Sequence, residues 1–202
     1  VLIFDEVTSG FRKNPGGVHL TYGINPDIAV FGKALGNGFP ISAVIGRSEI
    51  MSAAQDTFIS STFWTERVGY VAALATIEKF IKHNVHEHLI EMGNKVNSSW
   101  MSAAENSKIN ISIDGLEPLT HINFDEDQAS TIQTIYTQEM LKKNFLVGAN
   151  VYSSFAYDQK AINKFSDAVH KVFNIIKKAI KSGQPNDFLD SEEKHSGFKR
   201  LT

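Results

Sequence analysis

The apolar positions of the first fifty residues fall in short unbroken runs. Val1-Leu2-Ile3-Phe4 is followed by Asp5 and Glu6, Ile28-Ala29-Val30-Phe31 by Gly32 and Lys33, and Ser42-Ala43-Val44-Ile45 by Gly46. Runs of this kind predict strands buried on both faces of a parallel sheet. Their connections read as loops: Gly10, Asn14, Pro15, Gly16 and Gly17 punctuate the first, and the stretch from Gly32 to Pro40 is again glycine-rich. From Thr65 the period changes. Residues 66–104 hold no proline and only Gly69 and Gly93. Ala72, Ala73, Leu74, Ala75, Ile77, Phe80 and Ile81 predict an apolar, alanine-rich helix. Leu89, Met92, Val96 and Trp100 recur as one stripe of a second helix.

A third pattern begins near Ile109. Ile109, Ile111 and Ile113 alternate with polar residues, as in a half-buried strand. Leu119, His121, Ile122 and Phe124 read as its neighbour beyond a turn at Asp114-Gly115. Residues 128–143 predict a helix with Ile132, Ile135, Tyr136, Met140 and Leu141 on its apolar side. Ile162, Phe165, Val169, Val172, Phe173, Ile176 and Ile180 predict a long helix, ended by Gly183 and Pro185. The fold class is therefore α/β. Residues 1–104 read as part of a large sheet domain with a connecting helix, 105–183 as a small α+β domain, and 184–202 as a polar, poorly packed tail.

Length and charge narrow the picture. At about 150 residues per domain, 202 residues allow one domain or one and a half. The chain opens inside an apolar run, which is expected of a piece of a longer protein. A net charge of -2 supplies no basic field for a phosphate backbone, so nucleic acid is not an expected partner. No apolar run reaches the roughly 18 residues of a membrane helix, so no membrane partner is expected either. The absence of cysteine removes disulfides, thiolate metal sites and thiol nucleophiles, and it fits a cytoplasmic location.

Three segments carry candidate chemistry. Asp5 ends the first apolar run, where ligands of open α/β sheets bind; it is placed to hold a cation or a protonated ring nitrogen, or to act as an acidic cap. Lys33 follows the second run among apolar residues and glycines. Burial there would favour the neutral amine, a nucleophile toward carbonyls; the alternative is an ordinary surface lysine. A phosphate loop is excluded, because Ala34 stands where Ser or Thr is needed, and the dinucleotide pattern fails at Ile41. Ser60-Ser61-Thr62-Phe63-Trp64-Thr65 precedes a helix and suits either a phosphate or plain capping by Thr65. His83, His86 and His88 do not share one helix face, so no metal site is expected.

Taken together, Asp5-Glu6-Val7, Phe31-Gly32-Lys33-Ala34-Leu35-Gly36-Asn37-Gly38-Phe39-Pro40 and Ser60-Ser61-Thr62-Phe63 resemble the class III (ω-type) aminotransferases. The segment running on to Arg67 is most similar to the glutamate-1-semialdehyde aminomutase branch. The resemblance covers residues 1 to about 182 and implies the C-terminal half of a fold type I enzyme that uses pyridoxal 5'-phosphate. It implies that Asp5 pairs with the pyridine nitrogen, that Val7 packs on the ring, and that Lys33 forms the internal aldimine and moves the proton between Cα and C4′. It implies that Thr62 reaches the cofactor phosphate across a homodimer interface. The implied reaction moves an amino group from an amino compound to a carbonyl acceptor. An intramolecular aminomutase and a truncated, non-catalytic homologue are the alternatives. The phosphate cup and the ring-stacking aromatic belong to the family's upstream half, so this chain alone is expected to bind the cofactor poorly.

Overall fold

The computed structural model describes residues 1–195 and 197. The chain forms two compact units, Val1–Ile90 and Glu91–Thr202.

In the first unit, β1 (Ile3–Glu6), β2 (Ile28–Phe31) and β3 (Ala43–Gly46) form a sheet in that order. β1 and β2 are parallel, with Ile3 opposite Ile28 and Glu6 opposite Phe31. β3 runs antiparallel to β2, with Phe31 opposite Ala43, so the all-parallel expectation is met by one pair only. The reason lies in the connections. A parallel pair needs a crossover of about a dozen residues or more, which 7–27 provides; the short link 32–42 can only reverse the chain. β1 also starts two positions later than its apolar run suggests, which places Asp5 and Glu6 inside the strand.

One face of this sheet carries Ala29 and Phe31, which pack with Leu35 and Ala73 in a small core. On the other face Ile3 and Val44 are 57% and 52% exposed, and on the first face Ile45, opposite Ala29, is 56% exposed, so the double burial expected of these strands is met only around Ala29 and Phe31. A short helix α1 (Ser48–Met51) precedes α2 (Val68–Lys82) and α3 (Val85–Ser107). Asn84 separates the last two at φ 46, a left-handed conformation that asparagine tolerates better than most residues.

The second unit pairs β4 (Ile111–Leu116), β5 (Leu119–Phe124) and β6 (Asn150–Tyr152) in an antiparallel sheet, with α4 (Ala129–Leu141) and α5 (Gln159–Ser182). Leu116 pairs with Leu119, so the reversal is at Glu117-Pro118 and not at Asp114-Gly115. Gly115 stays in the ladder at φ 91, and a Cβ there would stand 2.4 Å from the Leu119 carbonyl oxygen. The glycine marks a close approach within the hairpin, not its end.

α5 follows its sequence pattern closely. Asp158 caps it by accepting from the Ala161 N–H at 2.7 Å, and Gly183 ends it at φ 72. Its apolar stripe, from Ile162 through Phe165, Val169, Val172 and Phe173 to Ile176, is buried. Met92, Val96, Trp100, Ala103 and Ala104 of α3 belong to the same core. That membership is why the compact units divide at Ile90 and Glu91 and not at the end of α3. The segment after α5 is packed rather than loose. Pro185–Phe188 forms a 3-10 turn, and Phe188 and Leu189 lie against the core. The Asp190 N–H donates to Gln138, and Lys142 bridges to Asp190 at 2.7 Å. Pro185, Phe188 and Leu189 supply the apolar anchor that its polar composition obscures. The remainder of the expected tail, Ser196 and 198–202, lies outside the described residues. Among the described residues, no helix is long and apolar enough to cross a membrane.

Deep in this core the Trp100 Nε1–H donates to the Tyr136 hydroxyl at 2.9 Å, with both rings fully buried. Burial pushes the Tyr136 phenol above its ordinary pKa, against the opposing effect of that hydrogen bond. Tyr136→Phe strands the Trp100 donor. We expect a loss of about 1–3 kcal/mol, the cost of leaving a buried donor unpaired. It is read as a lower urea midpoint at unchanged slope; a midpoint equal to the parent's would show that the hydrogen bond contributes nothing net.

Candidate functional site

Because β1 and β2 are parallel, their C-terminal ends lie side by side. Such an edge is where open α/β sheets bind ligands. Glu6 and Phe31 are the last paired residues, and Thr8 and Lys33 follow each by the same offset. The Lys33 ammonium Nζ donates to Thr8 Oγ1 at 2.5 Å. Val7 packs against Gly32, since a Cβ at Gly32 would come 3.4 Å from Val7 Cγ1. Asp5 lies on β1 opposite Val30, and its Oδ1 accepts from the Val7 N–H at 3.0 Å. Asp5 and Lys33 are both exposed. Three of the four sequence candidates, Asp5, Val7 and Lys33, therefore sit at one strand edge.

The backbone at Lys33 is unusual. Its φ of 42 is left-handed for a residue with a full side chain. Such positions cost about 1–3 kcal/mol and cluster at active sites. The turn that imposes it is tight: a Cβ at Gly36 would stand 2.2 Å from the Phe39 carbonyl oxygen. The glycine run thus folds back on itself directly after the lysine, with Gly36 where no side chain fits.

Thr62 lies elsewhere in the first unit, in an exposed turn ahead of α2. That turn is ordered by the Phe63 N–H donating to Ser61 Oγ and by the Glu66 N–H donating to the Phe63 carbonyl. The cap of α2 is not Thr65. The Glu66 carboxylate accepts from the Val68 and Gly69 N–H groups at 2.7 and 3.2 Å, serving two of the four donors a helix start leaves open.

Glu6 stood beside Asp5 as a candidate in the sequence but was given no role of its own. It is fully buried at the end of β1. Its Oε1 accepts from the His19 N–H and from His19 Nδ1, each at 2.9 Å, and Oε2 accepts from the Ser9 hydroxyl. Burial raises its pKa, but the hydrogen bonds from Ser9, from the His19 and Val18 N–H groups and from the His19 ring outweigh it. The carboxyl is held below the usual carboxylate value. The available signal was strand alternation: Glu6 shares a face with Phe4. Nothing periodic marks His19 or Thr8.

The sequence matches the class-III aminotransferase family over residues 1–177. It is 34% identical over 148 residues to a 3-aminobutyryl-CoA aminotransferase of Cloacimonas acidaminovorans, covering 71% of this chain and 36% of that protein. It is 33% identical over 148 residues to a glutamate-1-semialdehyde 2,1-aminomutase of Akkermansia muciniphila, covering 72% of this chain and 34% of that protein. The chain thus spans little more than a third of the length of these relatives. The FumI protein of Sphingopyxis sp. MTA144, solved in its PLP internal aldimine form, superposes with a TM-score of 0.85 at 25% identity over 93% of this chain and 46% of its own. An omega-transaminase from Sphaerobacter thermophilus shares the fold at a TM-score of 0.79, with 22% identity over 88% of this chain and 44% of its own. The α/β architecture is that of the fold type I transaminases. A family match over residues 1–177, on a chain whose lysine and aspartate lie at the same strand edge, places this protein among the class-III aminotransferases.

Proposed function

We propose that this chain carries the lysine-bearing part of a pyridoxal 5'-phosphate-dependent amino-group transfer site. The observation that carries the reading is the placement of Lys33, Val7 and Asp5 at the ends of two parallel strands. An amine, an apolar side chain and a carboxylate on one edge suit a flat, cationic, aldehyde-bearing ring. When bound, pyridoxal phosphate supplies that aldehyde and a protonated ring that takes up the electrons of a substrate carbanion. Asp5 would hold a proton on the ring nitrogen by its charge. Val7 would pack on one ring face. Lys33 would bind the aldehyde carbon and, once released, carry a proton to and from the substrate Cα.

The reaction moves an amino group from an amino compound to a carbonyl acceptor. Identity with a glutamate-1-semialdehyde aminomutase supports a second reading, in which the group shifts within one molecule. Lys33 serves both. Thr62 would reach the cofactor phosphate of a second subunit in a homodimer. An exposed apolar stretch around it supports that arrangement: Phe58 is 95% exposed and Trp64 58%, beside Ile59 and Phe63. Exposed apolar patches of this kind mark protein contacts. The lack of cysteine suits a cytoplasmic location.

The test is a half-reaction. The full-length protein that carries this chain is mixed with pyridoxal phosphate and a panel of amino donors, without an acceptor. We expect at least one donor to convert the bound cofactor's carbonyl absorbance to that of the amine form. No conversion with any donor sinks the transfer reading. Turnover of glutamate-1-semialdehyde without a second acceptor would favour the aminomutase.

A further inference from the structure

We propose that Glu6 is a positioning residue for Lys33: its buried carboxylate ties down the loop from Val7 to His19, and the loop holds the Thr8 hydroxyl against the lysine amine. The inference rests on the reading of Lys33 as the reactive amine. Donors reach the one carboxylate from both ends of the loop. Ser9 comes from its start, and the His19 N–H and the His19 ring come from its end. A fully buried carboxylate is costly unless hydrogen bonds satisfy it. This one is satisfied entirely by the loop it anchors. The strand end alone asks for no charge there.

The same anchorage brackets Thr8. Its neighbour Ser9 is bound to Glu6 Oε2, and the Gly10 N–H donates to the Glu6 carbonyl at 2.8 Å. On the other side the Val7 N–H is held by Asp5. Thr8 is therefore fixed between held residues, with its Oγ1 accepting from Lys33 Nζ. A lysine side chain has many rotamers, and a fixed acceptor selects among them. The amine is then presented in one direction from a backbone already set in the left-handed region. Glu6 acts through Thr8 and touches neither the amine nor a reacting atom.

The experiment reads the amine directly and not turnover. The full-length protein that carries this chain, and its variants, are incubated with pyridoxal phosphate alone. The adduct is trapped with borohydride at timed points, and the modification of Lys33 and of Lys95 is quantified by peptide mass spectrometry. Glu6→Gln keeps the volume and half of the acceptors. We expect it to slow trapping at Lys33 about tenfold, the scale of a modest misplacement of a reacting group, with trapping at Lys95 unchanged. Thr8→Val should reproduce the loss, and Thr8→Ser should restore the parent rate. The double variant should be no slower than Thr8→Val, because a residue acting through another adds nothing once that other is gone. Additive losses in the double variant, or parent-like trapping in Glu6→Gln, overturn the proposal. If Lys33 of the parent is trapped no faster than Lys95, the reading of Lys33 as the reactive amine fails, and the positioning role falls with it.

Discussion

Lys33→Ala is expected to cut the amino-transfer half-reaction by at least about 10³-fold, because it removes both the nucleophile and the group that carries the proton. Two control variants separate the causes. Lys33→Arg keeps a cation at the strand end but cannot offer a neutral amine, since the guanidinium does not deprotonate in proteins. It should be as inactive as the alanine variant; activity near the parent's would mean that charge, and not nucleophilicity, is what the position supplies. Lys33→Gly addresses the backbone. At φ 42 alanine keeps the strain of a residue with a Cβ, and glycine relieves it. The glycine variant should therefore be more stable than the alanine variant by about 0.5–1 kcal/mol while remaining equally inactive. Single-turnover absorbance with one good donor measures the activity, and urea unfolding measures the stability. An external primary amine added to Lys33→Ala should recover part of the rate. Retention of more than a tenth of the parent rate by the alanine variant would remove Lys33 from the centre of the mechanism.

How much of this was readable beforehand differs by element, for physical reasons. α5 was readable because its stripe, its Asp158 cap and its Gly183 stop agree with one another. β2 was readable because its apolar run has sharp ends. The direction of β3 was not, since an apolar run carries no sign of parallel or antiparallel pairing; only the length of the 32–42 link does. β1 was placed two residues early because Asp5 and Glu6 look like an ending. Their place inside the strand depends on partners that the local pattern does not contain. Glu6 is buried because Ser9 and His19 return to it from a loop without periodicity. The Thr8–Lys33 contact depends on the register of two parallel strands, a non-local fact. Asp5 and Lys33 were singled out by their places at the ends of apolar runs and Val7 through motif resemblance, and the strand edge explains why those residue types fall together. The hydroxyl-bearing residue beside the lysine, Thr8, had no such signal.

Asp5 provides the second large effect. Asp5→Ala should slow exchange of the substrate Cα proton by about 10²–10³-fold, the scale of removing one preorganised electrostatic partner from a developing charge. The geometry allows the charge to be tested apart from the fold. Asp5 Oδ1 accepts from the Val7 N–H across a two-residue turn, and an asparagine can make the same hydrogen bond. Asp5→Asn therefore keeps Val7 in place and removes only the charge. Should the carboxylate act by holding a proton on the ring nitrogen, the asparagine variant falls nearly as far as the alanine variant. Should Asp5 serve mainly to shape the turn that carries Val7 and Thr8, the asparagine variant stays near the parent and only alanine is impaired. The bond is exposed, so neither change should lower stability by more than about 1 kcal/mol. Deuterium uptake at Cα of a bound amino donor, followed by NMR, is the appropriate measurement, because it reports formation of the carbanion and not the later release of product. Exchange in Asp5→Asn at the parent rate would mean that the electron sink does not depend on this carboxylate.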